Sequence, residues 1–198
     1  MSQVKQLAVE DLGREIEALA MAAREASHRL AGLDSGTKNA LLEEIARGLE
    51  AGQEEILAAN LADVEEARLS GIGGALLDRL TLNERRIDDM VQGVREVKAL
   101  PDPVGEIEGM WRRPNGLEVG RMRVPLGVVG MVFEARPNVT VDAAALCLKS
   151  GNALILRGGS EARRSIAVLA GILKQALRKC NLPEAAIGLV PVTDRAAV

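Results

Sequence analysis

Through the first half of the chain, apolar positions recur at the spacing of α-helices with one buried face. Residues 12–30 carry Ile16, Leu19, Ala20, Ala23 and Ala26 along one side, and Gly32 and Gly36 then interrupt the pattern. Thr37 is placed to cap a second helix, whose stripe is Leu41, Leu42, Ile45 and Leu49. Residues 54–68 continue in the same style until Ser70-Gly71 and Gly73-Gly74 break the pattern, and 76–80 read as a short helical turn. Residues 83–100 form a further helix with Ile87, Met90, Val91, Val94 and Val97 inward, ended by Pro101 and Pro103.

The period then changes. Residues 111–113, a Pro114-Asn115-Gly116 turn and residues 117–124 read as a β-hairpin, with Asn-Gly supplying positive φ. The apolar phase breaks at Gly120, between Leu117 and Val119 on one side and Met122 and Val124 on the other, which places a bulge there. From Pro125 the pattern becomes strand–helix–strand–helix–strand: strands at 128–133, 153–156 and 187–192, helices at 140–149 and 160–179. The second of these helices carries Ile166, Leu169, Ile172, Leu173 and Leu177 inward. This alternation predicts an α/β chain with a parallel sheet and crossover helices. Ligands of such sheets sit beyond the C-terminal strand ends near a switch point, here 133–138, 157–160 and 191–193. Three strands leave exposed edges, and the chain stops where another crossover helix is expected.

Composition narrows the function classes. One Trp, one Phe and no Tyr leave a core of Ala, Leu, Val and Ile, and no aromatic platform for stacking bases. The net charge of −3 with no basic stripe argues against a nucleic-acid partner. The apolar run 124–133 is too short to span a bilayer, which needs ~20 apolar residues. No secretory leader is visible, and Cys147 and Cys180 have no metal-type spacing, which reads as a reduced, cytoplasmic protein with no metal site.

Two segments could carry chemistry. Leu156-Arg157-Gly158-Gly159-Ser160-Glu161 leaves a strand, passes two glycines and enters a helix. A helix start offers unpaired N–H groups and a partial positive charge, and Arg157 adds a charged fork, so a phosphate would fit. The alternative is a turn with Ser160 as a cap, and the common G-x-G-x-x-G fingerprint is missing. The second segment is Phe133-Glu134-Ala135-Arg136-Pro137-Asn138-Val139-Thr140. Asn138 could give an N–H to a developing oxyanion, or cap the next helix, or both. Cys147, in an apolar helix, reads as structural. Cys180 has no partner in sequence, and His28 reads as a surface residue.

The run Glu134-Ala-Arg-Pro-Asn-Val-Thr-Val-Asp142, followed by Cys147-Leu-Lys-Ser-Gly-Asn-Ala-Leu-Ile-Leu-Arg-Gly-Gly159, resembles the gamma-glutamyl phosphate reductases of the aldehyde dehydrogenase superfamily. Supporting matches are Asn60, Asp63, Ala67, Leu77-Asp78-Arg79-Leu80 and Leu100-Pro-Asp-Pro-Val-Gly105. The resemblance implies NADPH-dependent reduction of gamma-glutamyl phosphate to glutamate 5-semialdehyde, in proline biosynthesis, through a thiolate that attacks the acyl phosphate. It implies a helical part of the cofactor-binding domain over 1–110, a hairpin oligomerisation arm over 111–124, and an incomplete Rossmann-like βαβαβ over 125–198.

By the same resemblance NADP(H) is bound by Glu134, Ala135, Arg136, Pro137, Arg157, Gly158, Gly159 and Ser160. Arg157 stands where many aldehyde dehydrogenases have a cofactor-binding Lys. Asn138 corresponds to the oxyanion Asn, with Arg136 as the alternative occupant of that place. The family's nucleophilic Cys lies downstream of the region covered, and neither Cys147 nor Cys180 matches its motif. The expectation is a chain without its catalytic domain and inactive alone. It acts either as part of a homo-oligomeric reductase or as an assembly module that pairs with a separate C-terminal half or a full-length homologue.

Overall fold

The computed structural model describes residues 3–191, with side chains from residue 12. Helix α1 runs over Gln3–Ala31, starting earlier than the periodicity predicts. Helix α2 is Ser35–Ala51. Its cap is Asp34 rather than Thr37: the Asp34 carboxylate accepts from the Thr37 N–H (2.8 Å) and hydroxyl (2.8 Å). A carboxylate at the cap also complements the positive end of the helix. Helices α3 (Gln53–Leu69) and α4 (Gly74–Leu80) come next. Helix α5 (Glu84–Ala99) is capped by Asn83, whose side chain accepts from the Arg86 N–H.

Strands β1 (Ile107–Arg112) and β2 (Glu118–Met122) form an antiparallel hairpin that begins at Ile107 rather than Trp111. In its turn only Gly116 has positive φ (85°). Gly116 N–H donates to Arg113 O and Arg113 N–H to Leu117 O. That is a type I turn with Pro114 in its favoured place, closed by a left-handed glycine. The register slips between Ile107 and Gly109, opposite Met122 and Arg121, so the extra residue is Glu108 and not Gly120, which pairs with Met110. The hairpin is exposed on both strands. It has no buried side for alternation to report, and a phase break there is a poor guide to a bulge.

Strand β3 (Val128–Val132), helix α6 (Val139–Lys149), strand β4 (Ala153–Arg157), helix α7 (Arg163–Lys179) and strand β5 (Ile187–Leu189) follow among the described residues. Val190 N–H still donates to Leu156 O, but β5 is shorter than predicted and Val192 lies outside the described residues. The sheet is parallel with order β3-β4-β5. The order never reverses among the described strands, so the predicted switch point is not found there. What remains of that expectation is a set of strand ends that open in one direction.

Helices α6 and α7 cover one face of the sheet and α1 the other, while α2, α3 and α5 form an outer layer over α6 and α7. The core is aliphatic, as the composition demands. Leu41, Leu42, Ile45 and Leu49 of α2 are buried, as are Ile166, Leu169, Leu173 and Leu177 of α7. A smaller cluster, Val64, Ala67, Leu80, Ala135, Ala162 and Ile166, lies under the strand ends. Phe133 packs against both clusters and joins them. Polar locks accompany this packing. Lys38, only 1% exposed, donates to both oxygens of Asp102 (2.9 and 2.9 Å), which fastens the segment leading into the hairpin onto α2.

Candidate functional site

Strands β3 and β4 run in register from Val128–Ala153 to Val132–Arg157, and Phe133 N–H then donates to Arg157 O at 3.1 Å. Parallel pairing therefore delivers the two candidate segments side by side at the same end of the sheet. In the first, Arg136 N–H donates to Glu134 O, Val139 N–H to Arg136 O and Thr140 N–H to Pro137 O, so the loop coils directly into α6. Ala135 and Pro137 are buried and anchor it, while Glu134 and Arg136 are exposed. In the second, Arg157 is half-buried, Gly158 and Gly159 are buried and Ser160 is exposed.

Gly158 has a packing reason. A Cβ there would lie 2.2 Å from Ile166 Cδ1 and 3.3 Å from Phe133 Cζ, so the strand end can approach α7 only without a side chain. Ser160 does not start an α-helix: Ser160–Ala162 is a 3₁₀ turn, and α7 begins at Arg163. The start of α7 is also not open to an anion, as the sequence suggested. The carboxylate of Asp63, from α3, accepts from Arg164 N–H (3.2 Å), Ser165 N–H (2.8 Å) and the Ser165 hydroxyl (2.7 Å). One turn back, the buried Asn60 amide donates to Leu80 O (2.9 Å) and Ser165 Oγ (3.1 Å), and its oxygen accepts from Leu82 N–H (2.7 Å). In the sequence Asn60 and Asp63 stand only as family matches, with no task of their own. The signal was present: they sit with Ile56, Val64 and Ala67 on the buried side of α3, where a polar residue needs a partner.

Asn138 precedes α6 in helical backbone geometry (φ −57°, ψ −31°), and its side chain caps no backbone N–H. Its amide instead donates to Asp142 Oδ2 at 3.0 Å. An amide has two N–H donors, so Asp142 orients the group and leaves the second for a ligand. Burial pushes the Asp142 carboxyl above its usual range, against the opposing effect of the Asn138 hydrogen bond. Asn138, Asp142 and Arg136 line a cleft of about 380 Å³, whose other wall is built from α4 and α5 with Leu82 and Met90 beneath. On that wall Arg86 pairs with Asp78 (3.0 Å) and also donates to Thr81 O (2.5 Å).

The thiols are poor nucleophiles where they stand. Burial raises the Cys147 pKa. Burial raises that of Cys180 too, helped by Glu44 and opposed by Lys179. Both are therefore protonated at neutral pH. His28 is exposed on α1. Among the described residues no group of three or more His, Cys, Asp or Glu is placed to hold a metal ion. Among the same residues no helix is long and apolar enough to cross a membrane.

No protein-family model matches the chain. Whole-protein relatives do. It is 56% identical over 184 residues to gamma-glutamyl phosphate reductase from Moorella thermoacetica, covering 93% of this chain and 44% of that protein. The crystal structure of gamma-glutamyl phosphate reductase from Thermotoga maritima matches with a TM-score of 0.89 and 42% identity, over 92% of this chain and 44% of that one. An NAD-dependent benzaldehyde dehydrogenase from Corynebacterium glutamicum shares the fold alone, with a TM-score of 0.71 and 22% identity over 91% of this chain and 37% of that one. The chain thus spans less than half the length of the relatives it matches. Over the residues aligned, the chain belongs to the gamma-glutamyl phosphate reductase family of the aldehyde dehydrogenase superfamily.

Proposed function

We propose that the chain supplies the cofactor-binding part of an NADPH-dependent reductase that converts gamma-glutamyl phosphate to glutamate 5-semialdehyde in cytoplasmic proline biosynthesis. The observation that carries this reading is the side-by-side delivery of residues 134–138 and 157–160 at one end of the parallel sheet. NADPH, when bound, would supply a hydride. In this chain Arg157 and Ser160 would hold its phosphates, with main-chain N–H groups of Gly158 and Gly159. The loop is already suited to an anion: Ser160 Oγ donates to the Glu161 carboxylate (3.3 Å), which lies over Gly159. Glu161 would turn aside for the cofactor. Asn138, oriented by Asp142, would stabilise the oxyanion at the acyl carbon.

Neither raised-pKa thiol fits the nucleophile, so the chain alone should give no turnover of glutamate 5-semialdehyde with NADP and phosphate. It should still bind NADPH in a fluorescence titration, about tenfold more weakly after Arg157→Ala, the loss of one charged phosphate contact. Absence of NADPH binding would sink the cofactor reading. Turnover abolished by Cys147→Ser would assign catalysis to a thiol whose burial argues against it.

The hairpin supports a second reading, assembly with another copy of the chain. Ile107, Met110, Leu117 and Met122 are exposed along it, and Trp111 is 44% exposed. Apolar surface gathered on a projecting arm is a mark of an interaction site. Because Trp111 is the single tryptophan, association through the arm should blue-shift the chain's emission as concentration rises. An unchanged spectrum across an association seen by sedimentation would place the contact elsewhere.

A further inference from the structure

At the far end of α6 from Asn138 the fold buries a cation that has no counter-ion of its own. Lys149, the last residue of α6, is 4% exposed. Its ammonium donates to Asn39 Oδ1 (2.7 Å) and to Lys98 O (2.8 Å), both neutral acceptors. Among the described residues no carboxylate forms an ion pair with it. Asp102 acts on it from a distance, but that carboxylate is held by Lys38. Burial pulls the Lys149 pKa below its usual value, with Lys38 adding to the effect and Asp102 opposing it. Two buried lysines thus face one carboxylate. Buried charges are ordinarily paired, because an ammonium taken out of water loses its hydration. An ammonium also has three donors, and the two bonds to Asn39 and Lys98 leave one over.

Lys149 is also part of the wall of a groove of about 570 Å³ at the ends of α5 and α6, a volume in the range of small-molecule sites. The rest of that wall is mostly apolar: Val97, Leu100, Pro101, Pro103 and Leu146. Leu100 and Leu146 are exposed. The other charged side chains on the wall, Glu106 and Arg123, are paired with each other (3.0 Å). The length of α6, roughly 15 Å, separates this groove from the Asn138 amide.

These features choose among ligand classes. An apolar cation would add charge beside a buried ammonium. Inorganic phosphate would leave the leucines and prolines wet. A neutral apolar molecule would leave the ammonium unanswered. We propose that the groove binds an apolar monocarboxylate, with Lys149 taking the carboxylate and Leu100 and Leu146 covering the tail. The carboxylate supplies the missing counter-ion, and its charge-assisted bond uses the donor left over. The site needs neither the candidate cofactor loop nor the Asn138 amide, so it stands apart from the function proposed above. It lies where Pro101 and Pro103 lead the chain from α5 towards the hairpin, and an occupied groove would stiffen that segment.

The test is calorimetric titration of the full chain with octanoate, octan-1-ol and octylammonium. Octanoate should bind about tenfold tighter than octanol, the worth of one charge-assisted contact, and octylammonium should bind more weakly still. Lys149→Met should bring octanoate down to the level of octanol. Lys149 also joins α6 to α2 and α5, so a second variant is needed should Lys149→Met fail to fold. Leu146→Gln alters an exposed position and keeps the ammonium, and it should weaken octanoate by about fivefold through lost apolar cover. Hydrogen exchange would locate the ligand: octanoate should slow the amides of residues 97–106 and 146–150. Octanoate that does not bind, or binds no tighter than either comparison compound, overturns the proposal. So does binding that Leu146→Gln leaves unchanged, or protection confined to other parts of the chain.

Discussion

Replacing Lys38 with methionine should lower the unfolding free energy by about 3 kcal/mol at neutral pH, the low end of what removing one partner of a buried ion pair costs. The size reflects the group left behind. Lys38 is 1% exposed and its partner Asp102 is 11% exposed, so the orphaned carboxylate cannot be fully rehydrated. It would keep only the Ser35 hydroxyl (2.9 Å) and the Val104 N–H (3.0 Å). For a chain of this length such a loss corresponds to a fall in Tm of roughly 6–12 °C. Lys38→Met combined with Asp102→Asn should recover much of it, since the uncompensated charge is removed. The pH dependence carries a sign. Burial is the largest single influence on Asp102 and pushes its pKa up, but hydrogen bonds from Lys38, Val104 N–H and Ser35 outweigh it, and the carboxyl ends below its usual 3.8. A lowered folded pKa gives stability that is complete above the unfolded value and lost as pH falls through the folded one. Urea unfolding should therefore show the wild-type advantage at neutral pH shrink below about pH 4. A difference that held constant down to pH 3 would mean the ion pair is not its source.

Asp63→Ala should be nearly as severe, at about 3 kcal/mol, because several donors lose one acceptor. The first N–H groups of α7 have no intrahelical partner, and Asp63 satisfies those of Arg164 and Ser165. It also accepts from the Ser165 hydroxyl and, at 3.2 Å, from the Arg164 guanidinium. Asp63 is 2% exposed and Ser165 is fully buried, so water cannot replace it. Asp63→Asn should recover about half, since the amide oxygen accepts but carries no charge. Hydrogen exchange would localise the damage. Amides of residues 159–165 should exchange faster while those of β4 stay protected, because the cap holds the turn after the strand and not the strand itself. Uniform loss of protection across the chain would instead mark Asp63 as a general stabiliser with no special hold on the candidate cofactor loop.

Much of the fold was legible because period and punctuation agreed. The stripe Leu41, Leu42, Ile45 and Leu49 is buried on α2 as its spacing predicts, and Asn83 caps α5 at the place where the pattern starts. The short apolar runs of β3 and β4, set between turn residues, paired as parallel neighbours. Both candidate segments were visible too, since each comes after a strand whose end the topology must place with the other. What sequence could not supply was the partner of a polar side chain. Asp63 meets Ser165 across 102 positions and Lys38 meets Asp102 across 64. Nothing local to either residue foretells the pairing. The misplaced cap at Thr37 has a related cause: Asp34 and Thr37 are both good caps, and only geometry shows which one accepts. At the α7 start the anion present is the Asp63 carboxylate, because a helix N-terminus attracts a carboxylate of its own chain as it does a phosphate.

Helix α1 lies on the opposite face of the sheet from α6 and α7, and its strongest neighbours are the turn Glu184–Ala186 and β4, with β3 and β5 behind them. Leu19, for instance, reaches the backbone at Gly188. Helix α1 is therefore synthesised well before the strands it docks on. During translation α1 has no surface to bury against, while α2, α3 and α5 already have one another. Contacts of such long sequence separation form late. The small alanines on its inner side, Ala23 and Ala26, suit a helix that must wait, because they expose little apolar area to a neighbouring nascent chain.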